Sequence, residues 1–288
     1  MNFTWITLMI LSAVGLAFSR KKYKQGVTWG KSATVVCGIL VLFFALLNLF
    51  GGGGPGAQKL RNIEQTYRRV AGEKLGSYLA DQQNFSKALL LVKPGTEDHA
   101  RTQKMIEGVR EGLGREVELV NVVRPDIPEK VLERYRERMT QSGEPPSEME
   151  SEQPESSDLD IQRMMQSIPL GTWFNADRLD KTLKPYKGRC DVVIFGMSLP
   201  SDIGASKILT APDSPPIAIL WGESRFGEYE QAIKEGDITA AVARNPQSRI
   251  ETEKMPPGNL DKAFAKRYLL ITPDTIDEIA EKHEELFQ

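Results

Sequence analysis

Apolar positions in this chain come in two lengths. Residues 2–19 and 32–50 are long stretches without a charged side chain, and the loop between them carries Arg20, Lys21, Lys22, Lys24 and Lys31 and no acid. Each stretch is about as long as a helix must be to cross roughly 30 Å of hydrocarbon. The pattern predicts a two-helix transmembrane hairpin over residues 1–50, with its basic loop on the cytoplasmic side and everything after Phe50 on the other. Trp5, Tyr23 and Trp29 fall near the expected boundaries, where aromatic rings favour the headgroup layer. A cleavable signal peptide fits less well, because no basic residue precedes the first apolar core. The expected location is a bacterial-type cytoplasmic membrane, with the remaining chain on its extracytoplasmic side.

After residue 50 the apolar runs are short. Gly51 to Gly54, Pro55 and Gly56 read as a flexible tether over residues 51–57, since glycine leaves the backbone free to turn. Residues 58–82 place Leu60, Ile63, Tyr67, Val70, Leu75 and Leu79 at helical spacing. Continuous apolar runs predict strands at 88–92, 117–123, 192–195, 217–221, 238–243 and 268–271, and amphipathic stretches predict helices at 96–114, 128–139, 226–234 and 275–286. In the first of these helices Thr96 is the expected N-cap, Glu97 and Asp98 complement the dipole, and Gly114 ends it. Buried strands alternating with helices define an α/β fold, a doubly wound, mostly parallel sheet of about six strands with helices on both faces. The domain it forms spans residues 58–288, preceded by the hairpin. One segment breaks the rhythm: residues 141–160 carry seven acids and no base among Ser and Pro, and read as a disordered acidic loop tolerated inside the domain.

Charge narrows the partners. Of 37 basic and 39 acidic residues, five bases lie in the hairpin loop, which leaves the rest of the chain at 32 against 39, a net −7. That sign argues against nucleic acid, whose binding needs a basic face, and against a domain that clings to anionic lipid. Cys37 falls inside the second apolar stretch and Cys190 stands alone in the outer domain, so no disulfide is expected within it. Cys190 opens an apolar run, which predicts burial.

Three segments carry a family resemblance. Residues 232–246 (Ala-Ile-Lys-Glu-Gly-Asp-Ile-Thr-Ala-Ala-Val-Ala-Arg-Asn-Pro) resemble the late part of type I periplasmic sugar-binding proteins, where a helix ends at glycine and a strand runs into a polar residue and proline. The pair 191–196 and 215–221, and the closing stretch 268–277, are similar to further strands of that family. The resemblance runs in order over roughly residues 87–287. It implies a sheet domain that binds a small polar ligand of the sugar class in a cleft between two lobes. Only about six strands are legible here, however, so a truncated, single-lobed relative is expected, in which ligand binding is itself open.

In an open α/β sheet, ligands gather beyond the carboxyl ends of the strands. Those ends carry Thr96, Arg124, Ser198, Trp221, Glu223, Arg244 and Asn245. Trp221 could stack on a ring, while Arg124, Glu223, Arg244 and Asn245 offer directional hydrogen bonds. The plainer reading has Thr96 and Ser198 capping turns, Trp221 packing and the charges solvated. An anion at Gly95 and Thr96 is disfavoured by Glu97 and Asp98. His99 and His283 fall on polar helix faces without partners at metal spacing, and neither a nucleophile elbow nor a dinucleotide glycine fingerprint is present. No cofactor and no catalysis are therefore expected. The sequence points to a membrane-anchored, extracytoplasmic binding module; the alternative is a noncatalytic scaffold that has lost its ligand and meets a membrane protein partner.

Overall fold

The computed structural model describes residues 55–82, 84–96, 99–141, 164–220, 226–248 and 255–288, with positions 14, 15, 17–19, 21, 25, 35, 36 and 39. The chain divides into two compact units, residues 1–64 with 252–255 and residues 65–251 with 256–288. The sheet belongs to the second. The transmembrane hairpin expected at residues 2–19 and 32–50 lies almost wholly outside the described residues, as do the greater part of the acidic segment 141–160 and both Trp221 and Glu223. Among the described residues, no helix is long and apolar enough to cross a membrane.

Six strands form one sheet: β1 (Lys87–Leu91), β2 (Glu118–Val123), β3 (Val192–Phe195), β4 (Ile217–Ile219), β5 (Ile238–Arg244) and β6 (Tyr268–Ile271). Their spatial order is β2-β1-β3-β4-β5-β6. The first five run parallel, and β6 pairs antiparallel with β5 through Arg244 opposite Tyr268. The expected α/β fold with a mostly parallel, six-stranded sheet is thus present. Every residue of β3 is fully buried, as are Ala88 to Leu91 of β1. A strand covered on both faces can carry an unbroken apolar run, which is why these strands were legible without alternation.

Helices connect the strands: α1 (Pro55–Asp81) leads in, followed by α2 (Ala100–Leu113), α3 (Glu129–Gln141), α4 (Ala176–Leu183), α5 (Glu230–Glu235), α6 (Leu260–Ala265) and α7 (Ile276–Lys282). α1 begins at Pro55, ahead of the expected 58, because proline is tolerated in a first turn whose N–H has no partner in the helix. The expected closing helix stops at Lys282, and Glu284–Leu286 continues as a 3-10 turn after His283. On one side of the sheet, Leu89, Leu91, Val193, Phe195, Ile217 and Ile219 pack with Leu179 and Leu183 of α4 and with Trp173, Phe174 and Phe226.

α1 and α2 meet backbone to backbone. Each has glycines four residues apart, Gly72 and Gly76 on α1, Gly108 and Gly112 on α2. A Cβ on Gly72 would lie 2.5 Å from the Met105 carbonyl oxygen, and one on Gly112 would lie 2.1 Å from that of Glu73. Glycines four apart line one helix face, so both helices turn their flattest surface to the other. Arg69 then reaches across to Glu111 and also pairs with Glu73 at 3.6 Å.

Candidate functional site

The order β2-β1-β3 makes the gap between β1 and β3 a topological switch point: the chain leaves β1 toward one side, and leaves β3 toward the other. Connections diverging in this way open a crevice beyond the strand ends. A cleft of about 730 Å³ lies there, lined by Lys93 and Thr96 after β1, by His99, Arg101 and Met105 at the start of α2, and by Met197 and Ser198 after β3. Gln166, Leu170 and Phe174 of the long β2–β3 connection close one side, Glu228 and Tyr229 another, and Arg68 arrives from α1.

The turn after β1 is built by hydrogen bonds. Gly95 takes φ +73°, a left-handed conformation that costs glycine little. The Thr96 hydroxyl donates back to the Lys93 carbonyl at 2.5 Å. Thr96 is therefore not the N-cap expected of it. The helix opens at Ala100 after His99, whose side chain makes no capping bond. Lys93 Nζ donates to the Gln166 carbonyl at 2.5 Å, and the Gln166 amide donates to the Gly95 carbonyl, so residue 166 is tied to the end of β1 from both sides. On the other wall, Gly196 N donates to the Leu91 carbonyl at 2.8 Å. A Cβ at 196 would lie 2.7 Å from Met105 Cε, so the strand end and α2 sit in close contact.

Electrostatics of the cleft follow from burial and from like charges. Burial lowers the Lys93 pKa from its ordinary value. Burial, then Arg101, then Arg68 lower that of His99, because each disfavours the protonated ring. His99 Nδ1 is buried and has no hydrogen-bond partner among the described residues. The residue is half-buried at the N-cap, ahead of the helix on whose polar face it was expected. His283 is corrected likewise: it is buried, with Nδ1 3.8 Å from Glu285. Among the described residues, no group of three or more His, Cys, Asp or Glu side chains is placed to hold a metal ion.

Of the residues singled out at the strand ends, the cleft brings together Thr96 and Ser198. Arg124 follows β2 and does not line it. Arg244 is exposed at the end of β5, and Asn245 closes a turn: its amide donates to Arg267 O at 2.8 Å and its side chain accepts from Gln247 N at 3.0 Å. These two are three strands away from β1.

A second cavity of about 610 Å³ opens beside the amino ends of β3 and β4, next to Cys190 and Asp191. There the Asp191 carboxylate is occupied by Ser86 and Lys87. Cys190 is a free, half-buried thiol whose Sγ lies 3.8 Å from the Tyr186 carbonyl oxygen. Comparison with protein-family models, with curated proteins and with solved structures returns no match.

Proposed function

We propose that this chain is a membrane-anchored, extracytoplasmic module that binds a small polar ligand, without transforming it, in the cleft between β1 and β3. The observation that carries the reading is the coincidence of that cleft with the switch point of the sheet, where open α/β folds place their ligands. Its volume falls in the range of small-molecule sites, and its wall combines apolar Leu170, Phe174 and Met197 with a few polar groups. The sugar-binding-protein resemblance of residues 87–287 points the same way. The membrane part of the proposal is supported by the two uncharged stretches and the basic loop. Val14, Phe18, Val35, Val36 and Ile39 each expose more than half of their surface, which suits a lipid-facing side chain.

Two experiments test it. A thermal-shift screen of the full chain against sugars, polyols, amino acids and nucleosides should find a saturable stabiliser, since a ligand of the native state raises stability by RT ln(1 + [L]/Kd). Phe174→Ala should weaken that response; a flat response to every compound would favour the noncatalytic scaffold. Alkaline phosphatase fused after Gln288 should be active in a bacterial host and inactive when fused after Lys24. The opposite result would invert the topology.

A further inference from the structure

We infer that the segment leading into β3 is a docking surface for a protein partner, which meets it with an acidic stretch carrying one large apolar side chain. Residues 178–189 hold five bases, Arg178, Lys181, Lys184, Lys187 and Arg189, and one acid, Asp180. The remainder of the chain after residue 50 has 27 bases against 38 acids, so this stretch stands out in an acidic domain. Asp180 is engaged elsewhere: its carboxylate accepts from the Ser206 hydroxyl and from the Lys207 and Ile208 amides. Lys181, Lys184, Lys187 and Arg189 are exposed.

The fold turns these cations outward. Ala176, Leu179 and Leu183 give α4 its buried face, which leaves Lys181 on the other. α4 passes directly into the 3-10 turn Lys184–Tyr186, and side chains three apart eclipse in such a turn, which sets Lys184 and Lys187 on one side. Among the described residues, no carboxylate pairs with Lys181, Lys184 or Lys187. Arg189 lies over the Tyr186 ring, 6.0 Å from its centre. The cavity of about 610 Å³ adjoins this row, since Lys187 lines it. Leu183, Tyr186, Ile208, Pro215 and Pro216 give it an apolar wall with room for a large side chain. A cationic rim beside an apolar pocket is complementary to acids that flank an apolar anchor. The excess of acids in the rest of the domain repels an extended polyanion, whereas a short acidic stretch meets the row alone. Asp213 is exposed at the cavity and opposes such a partner, so removing its charge forms one arm of the test.

The experiment is fluorescence anisotropy with a fluorescein-labelled peptide of glutamates around a central phenylalanine, titrated with the full chain held in phosphatidylcholine nanodiscs. The peptide is expected to bind, and to bind more weakly as salt is raised. Lys181→Glu with Lys184→Glu should weaken it at least about tenfold, because like charges then face each other, without changing the melting temperature of the protein. Asp213→Asn should tighten it. Exchanging the glutamates for glutamine should abolish binding, and exchanging the phenylalanine for serine should weaken it. Silence from the acidic peptide, or binding that the double variant leaves unchanged, would overturn the inference. Equal binding of the serine peptide would do the same, because the cavity would then take no part. Equal binding of single-stranded DNA, lost in the same double variant, would reduce the row to an unselective polyanion strip and overturn it. Adherence to phosphatidylglycerol vesicles, with no response to the peptide, would also overturn it by assigning the row to a lipid surface.

Discussion

Gly108 of α2 lies so close to Arg69 of α1 that a Cβ at position 108 would sit 2.0 Å from the Arg69 carbonyl oxygen. No side-chain rotation relieves such a clash, because both partners are backbone. Gly108→Ala should therefore force the helices apart and destabilise the domain by about 1–3 kcal/mol or more, the cost of overpacking a tight contact. Gly204→Ala, where nothing lies within 4 Å of the added carbon, should be near neutral. Urea denaturation of the two variants gives the comparison directly.

Acid stability should depend on Asp191 and Asp180. Asp191 accepts from the Ser86 hydroxyl at 2.7 Å and from the Ser86 and Lys87 amides, each at 2.9 Å. The Ser86 hydroxyl leads the causes that hold its pKa below the ordinary value, against a smaller opposing effect of burial. For Asp180 burial acts upward, but the Ser206 hydroxyl, the Lys207 and Ile208 amides and the Lys207 charge together bring it below that value. A depressed folded pKa gives stability that is present above the unfolded value near 3.8 and is lost as pH falls through the folded one. Asp191→Asn and Asp180→Asn should each flatten the acid limb of a stability–pH curve, measured by urea unfolding between pH 2 and pH 6.

His99 should remain uncharged at neutral pH. Its pKa is lowered from 6.5 by burial, then Arg101, then Arg68, so the unfolded chain takes the proton more readily. The stability this contributes is present above 6.5 and is lost as pH falls through the lower folded value. Imidazole carbon shifts followed by NMR should titrate below 6.5 and move upward in Arg101→Gln. An unmoved titration would remove Arg101 from the neighbourhood of the ring.

Cys190 should be slow to react. Burial first, and then Asp191, push its thiol above 9.0, and thiolate is the reactive form. In a Cys37→Ser background, iodoacetamide labelling at pH 8 should be slow in buffer and fast in urea. Rapid labelling of the folded protein would contradict the burial.

The strands were legible because burial on both faces leaves an unbroken apolar run, as in Val192–Phe195. α4 and α6 were not, since each offers only two or three apolar contacts. Their signal was the cap: Asn175 accepts from Arg178 N, and Asn259 accepts from Lys262 N, each with an aspartate in the following turn. At the site, Thr96 and Ser198 were readable as residues just past strands. Arg68, His99 and Gln166 were not, because only the adjacency of β1 to β3, across a long excursion through β2, brings them to one cleft. Sequence order places those strands apart.

That adjacency has a consequence for the growing chain. Lys87 opens β1, and the carboxylate that receives its amide is 104 residues further on. Until that stretch has been made, the edge of β1 that pairs with β3 has no partner. At ordinary rates of synthesis the wait is on the order of ten seconds, ample time for an exposed strand to be engaged by a chaperone or to pair with the wrong neighbour.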